Sequence, residues 1–221
     1  MSDLRSELPL ILLGAGGHAK VLLSVARSLN WSVIGVCDPQ LFSSGVTRWR
    51  GLDVLGGDEA LQRFDRDNFQ VLNGIGQVVG SAARRKVYER LAADGYRFAT
   101  VVHPAAWVDS SVELRDGVQV MAGAIIQADS VVGKNSIINT HSAVDHDCVV
   151  GAHSHIAPGA TLCGGVSVGE RCFVASGATV IQGIVIGNDA VIGAGSVLVR
   201  DVASHGIVLG SKPRFGTLAD K

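Results

Sequence analysis

The chain has 221 residues, 19 Lys and Arg against 20 Asp and Glu for a net charge of −1, 28 Gly and only 5% aromatic residues. So even a charge balance, with no basic block, leaves no electrostatic footprint for a nucleic acid. Mean hydropathy is +0.32, yet no apolar run approaches the roughly 18 residues a membrane span needs; neither polyanion nor bilayer is an expected partner.

The chain opens Met-Ser-Asp-Leu-Arg-Ser-Glu, with acids where a signal peptide would be basic, so a cytoplasmic location is the expectation. Pro9 to Leu13 then reads as an apolar strand, Gly14-Ala15-Gly16-Gly17-His18-Ala19 as a tight turn, Lys20 to Leu29 as an amphipathic helix and Ser32 to Cys37 as a strand ending at Asp38. Leu52 to Leu55 and Phe69 to Ile75 are further strands, with helices near Asp58 to Phe64 and Ser81 to Ala93. Such alternation predicts a small parallel sheet. Tyr96 to Val102 reads as a last strand, and His103-Pro104 marks a boundary, giving an α/β domain over 1–103 and a second domain over 104–221.

Gly14-x-Gly16-x-x-Ala19 satisfies the loose dinucleotide fingerprint, with Asp38 where a ribose-binding acid would sit. The second half of a dinucleotide fold has no room before residue 104. A glycine turn leading into a helix presents backbone N–H groups to a phosphate more generally, so a single nucleotide diphosphate, with His18 and Lys20 adding polar contacts, is the economical reading. A turn that merely closes a βα corner is the plain alternative.

From Val108 to Leu198 every sixth residue is aliphatic, and the residue two before it is small or β-branched. That period belongs to a parallel β-helix in which i and i−2 point inward and three six-residue sides close a coil of eighteen. About five coils at roughly 4.8 Å spacing make a rod on the order of 25 Å long. Gly133, Gly151, Gly169 and Gly187 recur at eighteen and predict a corner of special backbone geometry. Cys148 and Cys172 fall in inward slots; with Cys37 and Cys163 they show no metal-type spacing.

His141, His146, His153 and His155 fall within one coil. His146 stands two residues past inward Val144, hence at a corner, with Asp147 next to it and Gly164 one coil above leaving space beside the imidazole. An exposed histidine beside a carboxylate is suited to general-base work, whereas His141 and His153 read as surface corner residues.

Taken together, Gly14-Ala15-Gly16-Gly17-His18-Ala19-Lys20, the hexapeptide period, Ile138-Asn139-Thr140 and Asp145-His146-Asp147-Cys148 resemble the nucleotide-sugar acetyltransferases of the left-handed β-helix class. Members N-acetylate UDP-, dTDP- or GDP-linked 4-amino sugars, and sialic acid O-acetyltransferases are their relatives. The resemblance spans nearly the whole chain. It implies a small Rossmann-like domain before a left-handed parallel β-helix, acetyl-CoA as co-substrate, no metal, and a homotrimer with each site between two rods. His146 would take a proton from the sugar amine with Asp147 beside it, and Asn139 would lie near the sugar. Gly16, Gly17 and His18 would hold the nucleotide phosphates, Cys37 and Asp38 the base and ribose, and Gly76 would lie against the nucleotide. His155, Gly164, Ser176 and Ala194 would line the acetyl-CoA path. Gly210-Ser211-Lys212-Pro213-Arg214 departs from the family's usual Gly-x-Pro-Ala-Lys/Arg ending.

A free amine needs only positioning, loss of one proton and oxyanion stabilisation, so direct transfer is expected, with no acyl-enzyme. The residues leave rivals open: O-acetylation of a sialic acid or similar sugar, a zinc enzyme of carbonic-anhydrase type with His141 and His146 as ligands, or a nucleotide-sugar binder without catalysis. A uridine nucleotide is the first expectation.

Overall fold

The computed structural model describes residues 8–210; Ser211 to Arg214 of the unusual ending lie outside them. The first domain contains strands β1 (Leu10–Leu13), β2 (Val33–Cys37), β3 (Arg48–Trp49), β4 (Leu52–Gly56) and β5 (Gln70–Asn73), with helices α1 (Gly17–Ser28), α2 (Pro39–Ser43) and α3 (Ala83–Ala93). The sheet order is β3-β4-β2-β1-β5, parallel apart from the short β3 edge strand. Helix α1 begins three residues earlier than its apolar pattern suggests, directly on the glycine turn, because Gly16 caps it without a side chain. The segment Asp58–Arg63 is a 3-10 helix.

Tyr96 to Val102 is not one strand. Phe98 bridges to Val71 at the edge of the first sheet, while Val101–Val102 (β6) already pairs with Gln119–Val120 in the next unit. The same apolar run is shared between two sheets.

The rest is a three-sided prism of two-residue strands paired eighteen residues apart in three parallel sheets. Face I carries Gln119, Ile137, His155, Phe173 and Val191 outward, face II carries Ile125, Ala143, Thr161 and Thr179, and face III carries Val131, Val149, Ser167 and Val185. The sixfold aliphatic positions from Val120 to Leu198 are all buried in one core. Inward Ser142 Oγ donates to Asn139 O in its own coil, whereas three inward serines donate to the coil above, Ser130 Oγ to Asp145 O at 2.8 Å, Ser136 Oγ to Gly151 O at 2.9 Å and Ser154 Oγ to Gly169 O at 2.8 Å. Cys172 does the same through its thiol toward Gly187 O, which makes it part of that ladder.

At each corner from Gly117 to Gly195 one residue takes left-handed φ and donates its N–H to the coil below, as His141 does to Ala122 O and Asp147 to Ala128 O. The recurring glycines are different. Gly133, Gly151, Gly169 and Gly187 do not have positive φ; a Cβ on Gly151 would run into the backbone of Gly169, and one on Gly169 would lie 2.7 Å from Asn188 N. Close stacking of successive coils, rather than special dihedrals, demands them.

The small domain sits on face I. Met121, Ile137, Val101 and Ala99 join Leu10, Leu12, Leu22 and Leu72 in a single buried cluster, so two architectures share one apolar seam. No helix among the described residues is long and apolar enough to cross a membrane.

Candidate active site

Three places hold the expected residues. The first is the end of β1, where Gly14 (φ +78°) turns the chain into α1. An added Cβ at Gly16 or Gly17 would meet nothing within 4 Å, and neither a side-chain cap nor an acid serves the first turn of α1. Its free N–H groups therefore face open space. Asp38 secures this loop: one carboxylate oxygen accepts from Ala15 N at 2.8 Å, the other from Gln40 N and Leu41 N as the cap of α2. Cys37 is buried next to it, its thiol pushed up to about 12 chiefly by desolvation. Gly76 closes the same rim, where a Cβ would stand 3.4 Å from His18 Cβ.

The second place is the seam against face I. His18 reaches Gln119 Oε1 at 2.7 Å. Gln119 Nε2 donates to Asn73 O, and Asn73 Nδ2 donates to Asn135 Oδ1 at 3.1 Å. Arg84, fully buried, meets no carboxylate among the described residues; it donates to the carbonyls of Asn73, Ile75 and Asn135. Desolvation, with Arg84 as a second cause, lowers His18 to about 4, and desolvation leads again in lowering His155 to about 3. Asn139 lies at the corner beyond: its Oδ1 accepts from Thr140 N at 2.7 Å, so its Nδ2 donates to His155 Nε2 at 2.9 Å. Ser176 and Ala194 follow on that same I–II corner, one coil apart and exposed, with Gly195 N donating to Ser176 O.

The third place is the II–III corner. His146 is exposed, and its Nδ1 lies 2.7 Å from Asp147 Oδ2. That hydrogen bond, then the charge of Asp145, raises its pKa above the ordinary histidine value. The ring lies over Gly164: a Cβ there would fall 2.6 Å from both Cε1 and Nε2.

In this chain His18, Gly76, Asn139 and His155 therefore form one neighbourhood, whereas His146 and Gly164 lie across face II from it. His141 belongs to the I–II corner, over Gly123, apart from His146. Among the described residues of one chain no three His, Cys, Asp or Glu side chains come together as a metal-holding group.

Known proteins share this architecture. Residues 9–91 match the PglD N-terminal domain, and 143–180 and 165–200 match hexapeptide repeats of succinyl-transferase and of bacterial transferases. The chain is 37% identical to PerB of Caulobacter crescentus, a perosamine N-acetyltransferase solved with CoA and GDP-perosamine; the match covers 93% of this chain and 95% of that one at a TM-score of 0.83. The acetyltransferase domain of PglB from Neisseria gonorrhoeae, solved with acetyl coenzyme A, is 33% identical over 91% of this chain and 96% of its own, with a TM-score of 0.82. WeeI of Acinetobacter baumannii is 25% identical over 92% and 97%, with a TM-score of 0.81.

The chain belongs to the hexapeptide-repeat acetyltransferases that carry a PglD-type N-terminal domain. Its prism is accordingly a left-handed parallel β-helix. In this acetyltransferase, sequence reasoning passed over Asn73, Arg84, Gln119 and Asn135, the buried polar groups that fix the small domain on the rod. Their only sequence signal is weak: Gln119 and Asn135 are polar residues where neighbouring coils expose theirs, and nothing in the spacing says that a second domain covers them.

Proposed function

We propose that this enzyme transfers the acetyl group of acetyl-CoA to the free amine of a nucleotide-linked 4-amino-deoxy sugar. The observation that carries the reading is the His146–Asp147 pair over Gly164. With Nδ1–H donated to Asp147, the neutral ring presents a bare Nε2 to solvent. The amine nitrogen attacks the thioester carbonyl, a C–N bond forms and the C–S bond breaks, the amine proton passes to His146 Nε2 and the CoA thiolate leaves. No acyl-enzyme intermediate is used.

Gly16 and Gly17 with the N-terminus of α1 hold the diphosphate, Cys37 and Asp38 border the base and ribose, Gly76 lies against the nucleotide and Asn139 against the sugar. His155, Ser176 and Ala194 on one copy, and Gly164 on another, line the acetyl-CoA path. Because His146 and Asn139 stand at different corners of one prism, a complete site takes His146 from a second copy, and a homotrimer closes three such sites. On face II the outward Trp107 and Ile125, neighbours in adjacent coils and each 40% exposed or more, support burial between copies. Cytoplasmic nucleotide sugars and acetyl-CoA are the partners; membrane and nucleic acid are not.

The test is acetylation of GDP-perosamine and of UDP- and dTDP-linked 4-amino sugars by the wild type, with a hydroxyl-only sugar nucleotide alongside. Transfer to an amine acceptor is expected; transfer to the hydroxyl acceptor alone would replace this reading with O-acetylation.

A further inference from the structure

At the seam, hydrogen-bond directions are fixed by groups that can act in only one sense. Asn73 O is a carbonyl and only accepts, so the Gln119 atom 2.8 Å from it is the amide nitrogen. The other Gln119 atom is then the oxygen, which also only accepts, and it faces His18 Nε2 at 2.7 Å. Gln119 has no exposed surface, and turning its amide over would set oxygen against a carbonyl that Arg84 already engages at 2.8 Å. His18 Nε2 therefore carries the hydrogen. Desolvation and the Arg84 cation keep the ring neutral, and a neutral imidazole has one N–H, so Nδ1 is a bare lone pair. His18 is itself partly exposed.

A diphosphate at neutral pH offers acceptors and no donor. A lone pair on Nδ1 faces it with repulsion, so the phosphates take the backbone N–H groups of α1 and the side chain of His18 serves another group. Asp38 and Cys37 lie on the far side of the glycine turn, toward α2; His18 points the other way, to face I and Asn73. Building on the acetyltransferase reading above, we propose that His18 is a specificity-determining residue whose Nδ1 accepts a hydrogen bond from a hydroxyl or amine of the sugar. Gln119 and Arg84 are positioning residues that hold it in that tautomer. The seam between the domains thus reads the sugar as well as joining the folds.

Substitutions that keep or remove an atom at one place test this. In His18→Asn the side-chain amide oxygen falls near the old Nδ1, whereas His18→Gln reaches the old Nε2 position and leaves Nδ1 empty. Calorimetric affinity for GDP, for UDP and for GDP-perosamine is measured on each full-length protein, with steady-state kinetics beside it. The expected result is diphosphate affinity within about twofold of wild type in both variants, with affinity for the sugar nucleotide down roughly tenfold in His18→Gln and much less in His18→Asn, as one lost hydrogen bond implies. The KM for the sugar nucleotide should rise with it while that for acetyl-CoA stays. Nitrogen-15 shifts of the His18 ring should show Nε2 protonated. Equal loss of GDP and GDP-perosamine binding would assign the side chain to the phosphates and overturn the inference, as would a protonated Nδ1. A wild type that binds no nucleotide sugar overturns the acetyltransferase reading itself, whereas a wild type that acetylates while both variants bind alike overturns only the role of His18.

Discussion

The II–III corner and the seam under the small domain use the same side chain in opposite ways. At the corner, His146 stands in water beside two carboxylates and is raised in pKa. At the seam, His18, His153 and His155 are lowered to about 4, 4 and 3, first by desolvation in every case. Solvent and charge, not residue type, decide which histidine carries a proton near neutrality. One environment suits a base that must gain and lose protons; the other suits fixed donors and acceptors.

The largest effect that would break this contrast is loss of the base. His146→Ala should lower acetylation of a nucleotide-4-amino sugar by about 10²-fold or more, with an unchanged melting temperature because the side chain is exposed. Near-normal turnover would move the base elsewhere. Replacing a seam histidine should do the reverse: His153→Ala removes the ring that accepts from Asn135 Nδ2 at 3.0 Å and packs edge-on against Tyr88, and should destabilise the domain contact before it touches chemistry.

Acid separates the two regions next. For each seam histidine the folded pKa lies below the unfolded value of 6.5, so the unfolded chain binds more protons between them. The stability they protect is complete above pH 6.5 and falls as pH drops toward 4. A urea midpoint measured at pH 7.5 and again at pH 4.5 should fall, by roughly a hundredfold loss in folding constant for each histidine. A flat profile would mean that these rings already protonate in the native state.

How far the sequence could show this differs between the regions. The prism was legible to the residue, because a coil of eighteen repeats the same environment and the sixfold aliphatic positions fill one core. Through that ruler His146 and Gly164 could be placed on one corner without coordinates. Four of the five strands of the small domain were legible within a residue or two, since apolar runs bounded by turns suffice for a buried parallel sheet; the two-residue antiparallel edge strand Arg48–Trp49 carries no such run. What stayed hidden was docking. Tyr96 to Val102 looks uniform, yet Phe98 and Val101 join different sheets. His155 carries no mark of the lid above it, and Asp38 gives no sign that its oxygens are taken by three backbone N–H groups. Local pattern encodes periodicity; it does not encode which outward face a second domain will cover.

Gly164→Ala sharpens the comparison at smaller scale. Gly164 lacks the positive φ of its neighbour Gly165, so alanine strains no backbone there, and the only cost is displacement of the His146 ring 2.6 Å away. Roughly tenfold slower transfer with little change in melting temperature is expected, as for a misplaced base. Gly151→Ala, whose Cβ meets backbone, should instead cost stability.

The smallest effect concerns Asp147, and its sign follows from the causes of the His146 shift. The Asp147 hydrogen bond is the first of them and the charge of Asp145 the second. A base must be unprotonated to work, so kcat/KM falls on the acid side through the raised His146 pKa. Asp147→Ala removes the larger cause and leaves Asp145, whose Oδ1 still accepts from His146 N at 2.8 Å; the acid limb should move to lower pH without reaching a wholly unperturbed value. Because both side chains are solvated, water replaces the lost acceptor on Nδ1–H, and the rate at the optimum should drop only a few-fold. Alanine is a cleaner probe than asparagine here, since an amide N–H can bond Nδ1 and stabilise the tautomer with its hydrogen on Nε2, which is no base. A limb that stays in place after Asp147→Ala would show that the proton is taken by a group other than His146, and the contrast between corner and seam would lose its catalytic meaning.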